Sequence, residues 1–396
     1  MELYMIRKLA ELDLRGKTVF LRVDFNVPIK DGKVSEAHRI DSALPTIRFV
    51  LETAKKVVIA SHLGRPEGKV VDKYSLAPVQ RYLQDSLNIP VAMATDCVGP
   101  VVESLVRTGD HRVVLLENLR FHAEEEKNDE GFSRAMAALA DVYVDDAFGA
   151  AHRAHASIAG MAKHFKSKAA GLLLQKELDY LGPLLANPAK PFVTILGGAK
   201  VSDKIGVIKN LLPKVSKLLI GGGMAYTFLK AKGADIGKSL LEHDKIELAA
   251  DLMERANRLG VELVLPIDHV AGDSEKKNPI TVDSAIPADR MGLDIGPKTT
   301  QRFVGEIKKA KMVLWNGPVG LFEVAPYDRG SRSLAQALAE NHPAVTGIIA
   351  GGDTVAAVVA AGASSRIAHL STGGGATLEF LEGKTLPGIK ALDDQP

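Results

Sequence analysis

Short, unbroken apolar runs recur along the whole chain, each followed by a stretch with helical periodicity. The runs are Thr18–Val23, Lys56–Ala60, Val113–Leu116, Val142–Val144, Phe192–Leu196, Lys217–Ile220, Glu262–Leu265, Met312–Trp315 and Gly347–Ala350. Most lack polar alternation, so they read as strands covered on both faces. Between them lie amphipathic segments. Ile40, Leu44, Ile47, Leu51 and Ala54 step by 4, 3, 4 and 3 residues and make one helical stripe. This βαβα order predicts an α/β fold of parallel sheets flanked by helices. At 396 residues the chain is too long for one core, given roughly 150 residues per domain. Leu174, Leu178, Leu181 and Leu185 repeat the helical step after Gly171 and before Asn187-Pro188. They predict one long helix separating two similar halves. The expected boundaries are 1–170, a joining helix within 171–190, 191–380, and a C-terminal segment 381–396.

Charge removes several function classes. Lys plus Arg is 50 against 48 for Asp plus Glu, a net charge of +2. No basic slab supports a nucleic-acid partner, so any anion site must be local. The single cysteine, Cys97, excludes an intramolecular disulfide and fits a reducing compartment. It stands just before Gly99-Pro100 and reads as a small structural thiol. Charges at Glu2, Arg7, Lys8 and Glu11 leave no signal-peptide core. The longest Ala/Gly/Val stretch, 345–365, carries Asp353. A soluble, cytoplasmic protein without a membrane partner is expected.

Ligands of open α/β sheets gather beyond the carboxyl ends of the strands. In the first half those positions hold Asp24-Phe25-Asn26, Ser61-His62-Leu63-Gly64-Arg65, Glu117-Asn118-Leu119-Arg120, and Asp145-Asp146 leading to His152-Arg153-Ala154-His155. Arg39 opens the helix after the first loop. Arginine forks match carboxylate and phosphate oxygens, so four of them at strand ends predict a pocket for a small, multiply anionic metabolite. The histidine pair at 152 and 155 has no HExxH or cysteine partner. It reads as ordering the loop around Arg153 rather than holding zinc.

The second half answers with glycine: Gly197-Gly198-Ala199-Lys200, Gly221-Gly222-Gly223, Asn316-Gly317-Pro318-Val319-Gly320, Gly351-Gly352-Asp353-Thr354 and Gly373-Gly374-Gly375. Several of these lead directly into helical sequence. Glycine lets backbone approach phosphate, and helix N-termini offer free N–H groups. Lys200 and Lys204 are expected on one face of the helix after Gly198. Like charges at that spacing cost roughly 0.2–0.5 kcal/mol, which an anion held between them would offset. Two nucleotide motifs fail. In GADIGKS (233–239) only three residues separate Gly233 from Gly237, and Tyr226 occupies the third glycine position of a GxGxxG pattern.

Eight ordered motifs resemble the bacterial phosphoglycerate kinase family: LRVDFNVP at 21–28, SHLGRP at 61–66, ENLRF at 117–121, DAFGAAHRAHAS at 146–157, GGAKVSDKI at 197–205, WNGPVGLFE at 315–323, GGDT at 351–354 and STGGGATLEFLEG at 371–383. The resemblance spans essentially all of the chain. It implies two Rossmann-like parallel-sheet domains joined by a long helix, in a bilobal, hinge-bending, monomeric kinase of glycolysis. The tail after Gly383 resembles the family's segment that returns to the first domain. The resemblance also implies the site residues. Asp24, Asn26, Arg39, His62, Arg65, Arg120 and Arg153 would hold 3-phosphoglycerate. Lys204, Asn316, Pro318, Glu323, Gly351, Gly352, Asp353 and Thr354 would hold ADP or ATP, with Asp353 on Mg²⁺. Arg39, Lys200, Lys204, Gly352 and Gly375 would serve the transferring phosphoryl group. Two departures stand out: His269 replaces a customary Phe, and 290–298 matches loosely. A two-lobed anion-binding protein without catalysis is the alternative reading.

Overall fold

The structure, a computed structural model, describes residues 5–393. The outer ends of the first and last expected segments, 1–4 and 394–396, lie outside the described residues. The chain packs as two compact units. One holds the described residues up to Asp179 together with those from Thr385 on, and the other holds Tyr180–Lys384.

Each unit is built on a six-stranded parallel sheet. In the first, the spatial order is Val91–Met93, Val113–Leu115, Lys56–Ala60, Thr18–Arg22, Val142–Asp145, Lys168–Ala170. Val19, Leu21, Val57, Ile59, Val113, Leu115 and Val144 are wholly or almost wholly buried in one core, because parallel strands are covered by helices on both sides. Register then decides which residues share an edge. Arg22 lies opposite Ala60 on one side and Asp145 on the other. The loops at Val23–Asn26, Ser61–Arg65 and Asp146 therefore leave the sheet together.

The second sheet runs Glu262–Val264, Lys217–Ile220, Phe192–Leu196, Met312–Asn316, Thr346–Ala350, His369–Leu370. Asn316 is in register with Leu196 and with Ala350, and Leu196 with Ile220. Gly197, Gly221, Gly317 and Gly351 accordingly share its carboxyl edge. Trp315, the only tryptophan, is fully buried in this core, and its indole N–H donates to the Gly317 carbonyl at 2.8 Å.

All nine strands expected from sequence are present, within a residue or two at their ends. Three more, Val91–Met93, Lys168–Ala170 and His369–Leu370, close sheet edges. Two or three residues are too few to show a period, so only pairing with a neighbour defines them. A small antiparallel sheet, Ile280–Val282, His269–Gly272 and Met291–Ile295, was also not expected. It includes most of the loosely matching 290–298 stretch. In the first unit, the helix Pro387–Leu392 packs on residues 156–160, with the Gly388 N–H donating to the Ala151 carbonyl at 2.9 Å.

The long helix runs Leu172–Ala186, and the division between units falls within it, after Asp179. Its start is fixed by Asp146, whose Oδ1 accepts from the Leu173 and Leu174 N–H groups at 2.8 and 3.1 Å. Gly171 makes room, since a Cβ there would stand 2.2 Å from that oxygen. Burial raises the Asp146 carboxyl to about 6, against the opposing pull of the Thr46 hydroxyl and the two helix N–H groups. The folded chain therefore binds this proton more tightly than the unfolded chain, and stability falls as pH rises from about 4 to about 6. Asp146→Asn keeps the accepting oxygen and cannot ionise. Urea midpoints measured from pH 4 to pH 7 should fall less steeply across that window in the variant than in the wild type.

Candidate functional site

On the first unit a charged strand residue organises the carboxyl edge. Arg22 is fully buried inside an apolar strand. Its Nε donates to Ser157 Oγ at 2.8 Å, one terminal nitrogen donates to the Val23 carbonyl, and the other lies 3.2 Å from His62 Nδ1. Glu125, also fully buried, accepts from the Ser157 N–H at 2.9 Å and hydroxyl at 2.6 Å. Burial raises the Glu125 carboxyl, and Arg22 opposes that rise. Arg120, 6% exposed, donates to the Gly64 carbonyl at 2.8 Å and lies 3.3 Å from Glu126. Arg39 pairs with Asp24 at 2.9 Å. Asn26 Oδ1 accepts from the Gly64 N–H at 2.9 Å and so ties the first two strand-end loops together.

The histidines register the field at this edge. His62 is held well below its usual pKa by burial first, then by Arg22, Arg120 and Arg39. His155 is pushed down to about 3 by burial, then by Arg120, Arg22 and Arg153. A neutral His62 can accept from Arg22 through Nδ1. The structure thus brings Arg39, His62, Arg120 and Arg153 into one positive field. Arg65 sits exposed on the His62 loop. Asp145 and Asp146 turn inward: Asp145 accepts from the Ala147 N–H at 2.9 Å, and burial raises its carboxyl to about 7. Sequence reasoning passed over Arg22, Glu125 and Ser157. An arginine within an apolar strand was the available signal, because a buried charge must be paired.

On the second unit the glycine turns interlock. The Gly197 N–H donates to the Asn316 carbonyl at 3.0 Å, Gly198 to Pro318 at 2.9 Å, and Gly222 to Val319 at 3.0 Å. A Cβ on Gly317, whose φ is +98°, would stand 2.2 Å from the Gly197 carbonyl oxygen. Beside these turns opens a cavity of about 390 Å³ lined by Gly198, Gly222, Gly223, Tyr226, Leu240, Met291–Leu293, Pro318–Glu323 and Asp353, among others. That is within the range of small-ligand pockets. Pro318, Glu323 and Asp353 of the expected nucleotide residues line it. Asn316 and Thr354 are 1% exposed and also brace the frame: Asn316 Nδ2 donates to the Ala350 carbonyl at 2.8 Å, and the Gly317 N–H donates to Thr354 Oγ1 at 2.7 Å. Lys204 Nζ donates to Asn316 Oδ1. Burial lowers the Lys204 pKa, and Asp203 and Asp353 oppose the shift.

One expectation fails. Lys200 and Lys204 do not share a helical face, because residues 198–201 are non-helical, Ser202–Lys204 is one 3₁₀ turn, and the α-helix starts only at Ile205. Glu242 holds this turn, accepting from the Val201 and Ser202 N–H groups at 2.5 and 3.2 Å and from the Ser202 hydroxyl at 2.6 Å. Lys200 is exposed, whereas Lys204 is partly buried. Gly352 begins the helix Gly352–Ala360, and Gly375 begins Gly375–Leu381. His269 is fully buried against Tyr226, with ring centroids 5.4 Å apart, and burial brings its pKa down to about 4.

One parallel-sheet unit with strand-end arginines and a second with glycine turns and a half-buried lysine place the chain among two-unit α/β proteins. Residues 9–384 match the sequence model for phosphoglycerate kinase. A phosphoglycerate kinase of Anaeromyxobacter dehalogenans is 55% identical, covering 98% of this chain and all of the relative. One of Acidobacterium capsulatum is 52% identical, over 98% and 99% of the two chains. The solved phosphoglycerate kinase of Coxiella burnetii superposes with a TM-score of 0.88 at 41% identity, covering 98% of each chain. That of Pyrococcus horikoshii gives 0.83 at 31% identity, over 97% and 98%. The chain belongs to the phosphoglycerate kinase family.

The interlocked turns set a stability test. Gly317→Ala combines left-handed backbone with a backbone clash, and should cost about 1–3 kcal/mol. Trp315 fluorescence during urea unfolding reads the unit that carries both residues.

Proposed function

We propose that this chain transfers a phosphoryl group reversibly between 1,3-bisphosphoglycerate and ADP, forming 3-phosphoglycerate and ATP, in glycolysis and gluconeogenesis. Family membership makes it a phosphotransferase with a carboxyl group as acceptor. The observation that carries the reading at residue level is the meeting of strand-end loops at one sheet edge, where Arg22 lies 3.2 Å from His62, Arg120 holds the Gly64 carbonyl at 2.8 Å, Asn26 holds the Gly64 N–H at 2.9 Å and Arg39 pairs with Asp24 at 2.9 Å.

Asp24, Asn26, Arg39, His62, Arg65, Arg120 and Arg153 would bind the glycerate substrate. Arginine supplies planar, permanently charged forks for its carboxylate and phosphate. His62, being neutral, would offer a hydrogen bond without adding charge. In the ATP-consuming direction the acceptor is a carboxylate with an intrinsic pKa near 4, already ionised at pH 7. No general base is required. Catalysis then rests on alignment and on neutralising the moving phosphoryl group. Arg39 and Lys204 would supply that charge. Lys200 would act only as an exposed cation nearby.

The cavity beside Gly198, Gly222 and Pro318 would take the nucleoside, with Glu323 toward its ribose hydroxyls. Asn316 and Thr354 would contribute by holding Lys204 and the 316–320 turn in place. The helix starts at Gly352 and Gly375 would turn N–H groups toward phosphate. Asp353 fits a magnesium ligand: it is an exposed carboxylate on the cavity wall at a helix start. Magnesium is held by one or two carboxylates together with substrate phosphates. Bound there, Mg²⁺ would neutralise nucleotide phosphate oxygens. Donor and acceptor residues belong to different compact units, so each turnover must bring their ligands within reach and exclude water from the acyl phosphate. The helix Leu172–Ala186 is the proposed lever.

A coupled assay with ATP, Mg²⁺ and 3-phosphoglycerate tests the activity directly, and an inactive, folded wild-type chain would overturn it. Arg39→Ala should lower kcat roughly 10²–10³-fold while calorimetric ADP affinity stays unchanged. Lys204→Ala should lower both turnover and ADP affinity. Near wild-type kcat in Arg39→Ala would remove that residue from the transition state.

A further inference from the structure

Asp96, Cys97 and His122 stand together on the first unit, outside the arginine cluster of its carboxyl edge. One potential ligand atom from each lies within 4.8 Å of the other two. His122 is far from the other two in sequence, so the grouping is a product of the fold. Cys97 follows the strand Val91–Met93, whereas His122 ends the segment Glu117–His122 that follows Val113–Leu115.

Both sides of the grouping are held in place. The Cys97 N–H donates to Asp96 Oδ1 at 2.6 Å, and the thiol donates to the Glu117 carbonyl at 3.0 Å. The Glu117 carboxylate is anchored by the Ser75 hydroxyl, the Leu76 N–H and the Asn118 N–H at 2.7–2.9 Å. The His122 ring is fixed against Phe132, with centroids 4.9 Å apart, and its Nε2 meets Asp96 Oδ1 at 2.5 Å. Access is one-sided: the thiol is 1% exposed, while the Asp96 and His122 side chains are 49% and 28% exposed. An ion would enter past the carboxylate and imidazole and meet the sulfur at the bottom.

We propose that Asp96, Cys97 and His122 form a binding site for a thiophilic divalent cation such as Zn²⁺. Thiolate, imidazole and carboxylate are all zinc ligands, and three of them leave a fourth position for water. On binding, the S–H bond breaks, its proton passes to solvent, and a sulfur–metal bond forms. The His122–Asp96 hydrogen bond gives way to two bonds to the ion, and the imidazole proton that bond held moves through solvent from Nε2 to Nδ1, leaving the ring neutral. The partly exposed Asp96 carboxylate at the mouth of the grouping is the charge that draws a cation toward the sulfur. The bound ion would tie Cys97 to the far end of the segment carrying Arg120.

A single cysteine makes the test unambiguous, since any thiolate–metal signal must come from Cys97. The intact chain is titrated with Cd²⁺, and the ultraviolet thiolate-to-cadmium charge-transfer band is followed. One equivalent should saturate the band, and Cys97→Ser should abolish it. Asp96→Asn and His122→Gln alter partly exposed side chains, and circular dichroism confirms that they fold. Loss of even an outer partner costs a metal site roughly 10–100-fold, so each variant should weaken binding at least about tenfold. Zn²⁺ should displace the cadmium and erase the band. No band in the wild type, or unchanged affinity in either variant, overturns the site.

Discussion

Parallel pairing is the constraint on which everything else rests. Strands that run in one direction end on one edge, and in-register partners end there at one level. Arg22 opposite Ala60 and Asp145, and Asn316 opposite Leu196 and Ala350, are the two rows where this happens. From each row the chain leaves the sheet in neighbouring loops. Residues more than 100 positions apart then share a few ångströms without any direct attraction being needed to gather them. The residues just beyond each row set its chemical character: arginine, histidine and asparagine in one case, glycine in the other.

The arginine edge is an arrangement of opposed costs. Burying the Arg22 guanidinium is unfavourable unless its donors are satisfied and its charge is answered. Ser157, the Val23 carbonyl and a neutral His62 take the donors, and buried Glu125 lies close enough for its carboxyl to be stabilised by that charge. Arg39 and Arg120 have carboxylate partners of their own, at Asp24 and Glu126. His62 and His155 are held below their usual range by burial first and by these arginines second, so the edge combines a buried polar core with cations at its rim. The glycine edge works by proximity instead. Gly197 and Gly317 let two turns touch backbone to backbone, and Thr354 and Asn316 pin the turn from behind. A rigid floor of this kind lets peptide groups face a ligand without side chains in the way.

Much of this was legible in the chain before folding. Continuous apolar runs identify buried strands, and the 4, 3, 4 leucine step identifies the helix Leu172–Ala186, because both patterns are local and periodic. The strand-end arginines and glycine turns were legible because the parallel topology itself says where strand ends go. Edge strands of two or three residues were not, since nothing but a neighbour defines them. The helix expected to carry both Lys200 and Lys204 starts later, at Ile205, and the turn before it is held by Glu242, a residue some 40 positions away that accepts from the N–H groups of Val201 and Ser202. That Asn316 and Thr354 also brace the strand-end turns could not be read in line, because their partners, the Ala350 carbonyl and the Gly317 N–H, lie more than 30 positions away.

From sequence alone came the α/β class, the division into two sheets, the resemblance to a kinase family, and most of the residues at both edges. Those come from periodicity and from motif order, which are properties of the chain read in line. Tertiary structure alone decided that Arg22 and Glu125 lie at the centre of the cationic edge, that Asp145 and Asp146 face inward, and that Cys97 meets His122. The reason is physical. A side chain's role depends on burial, on field and on partners, and all three are set by residues distant in sequence that only packing brings near.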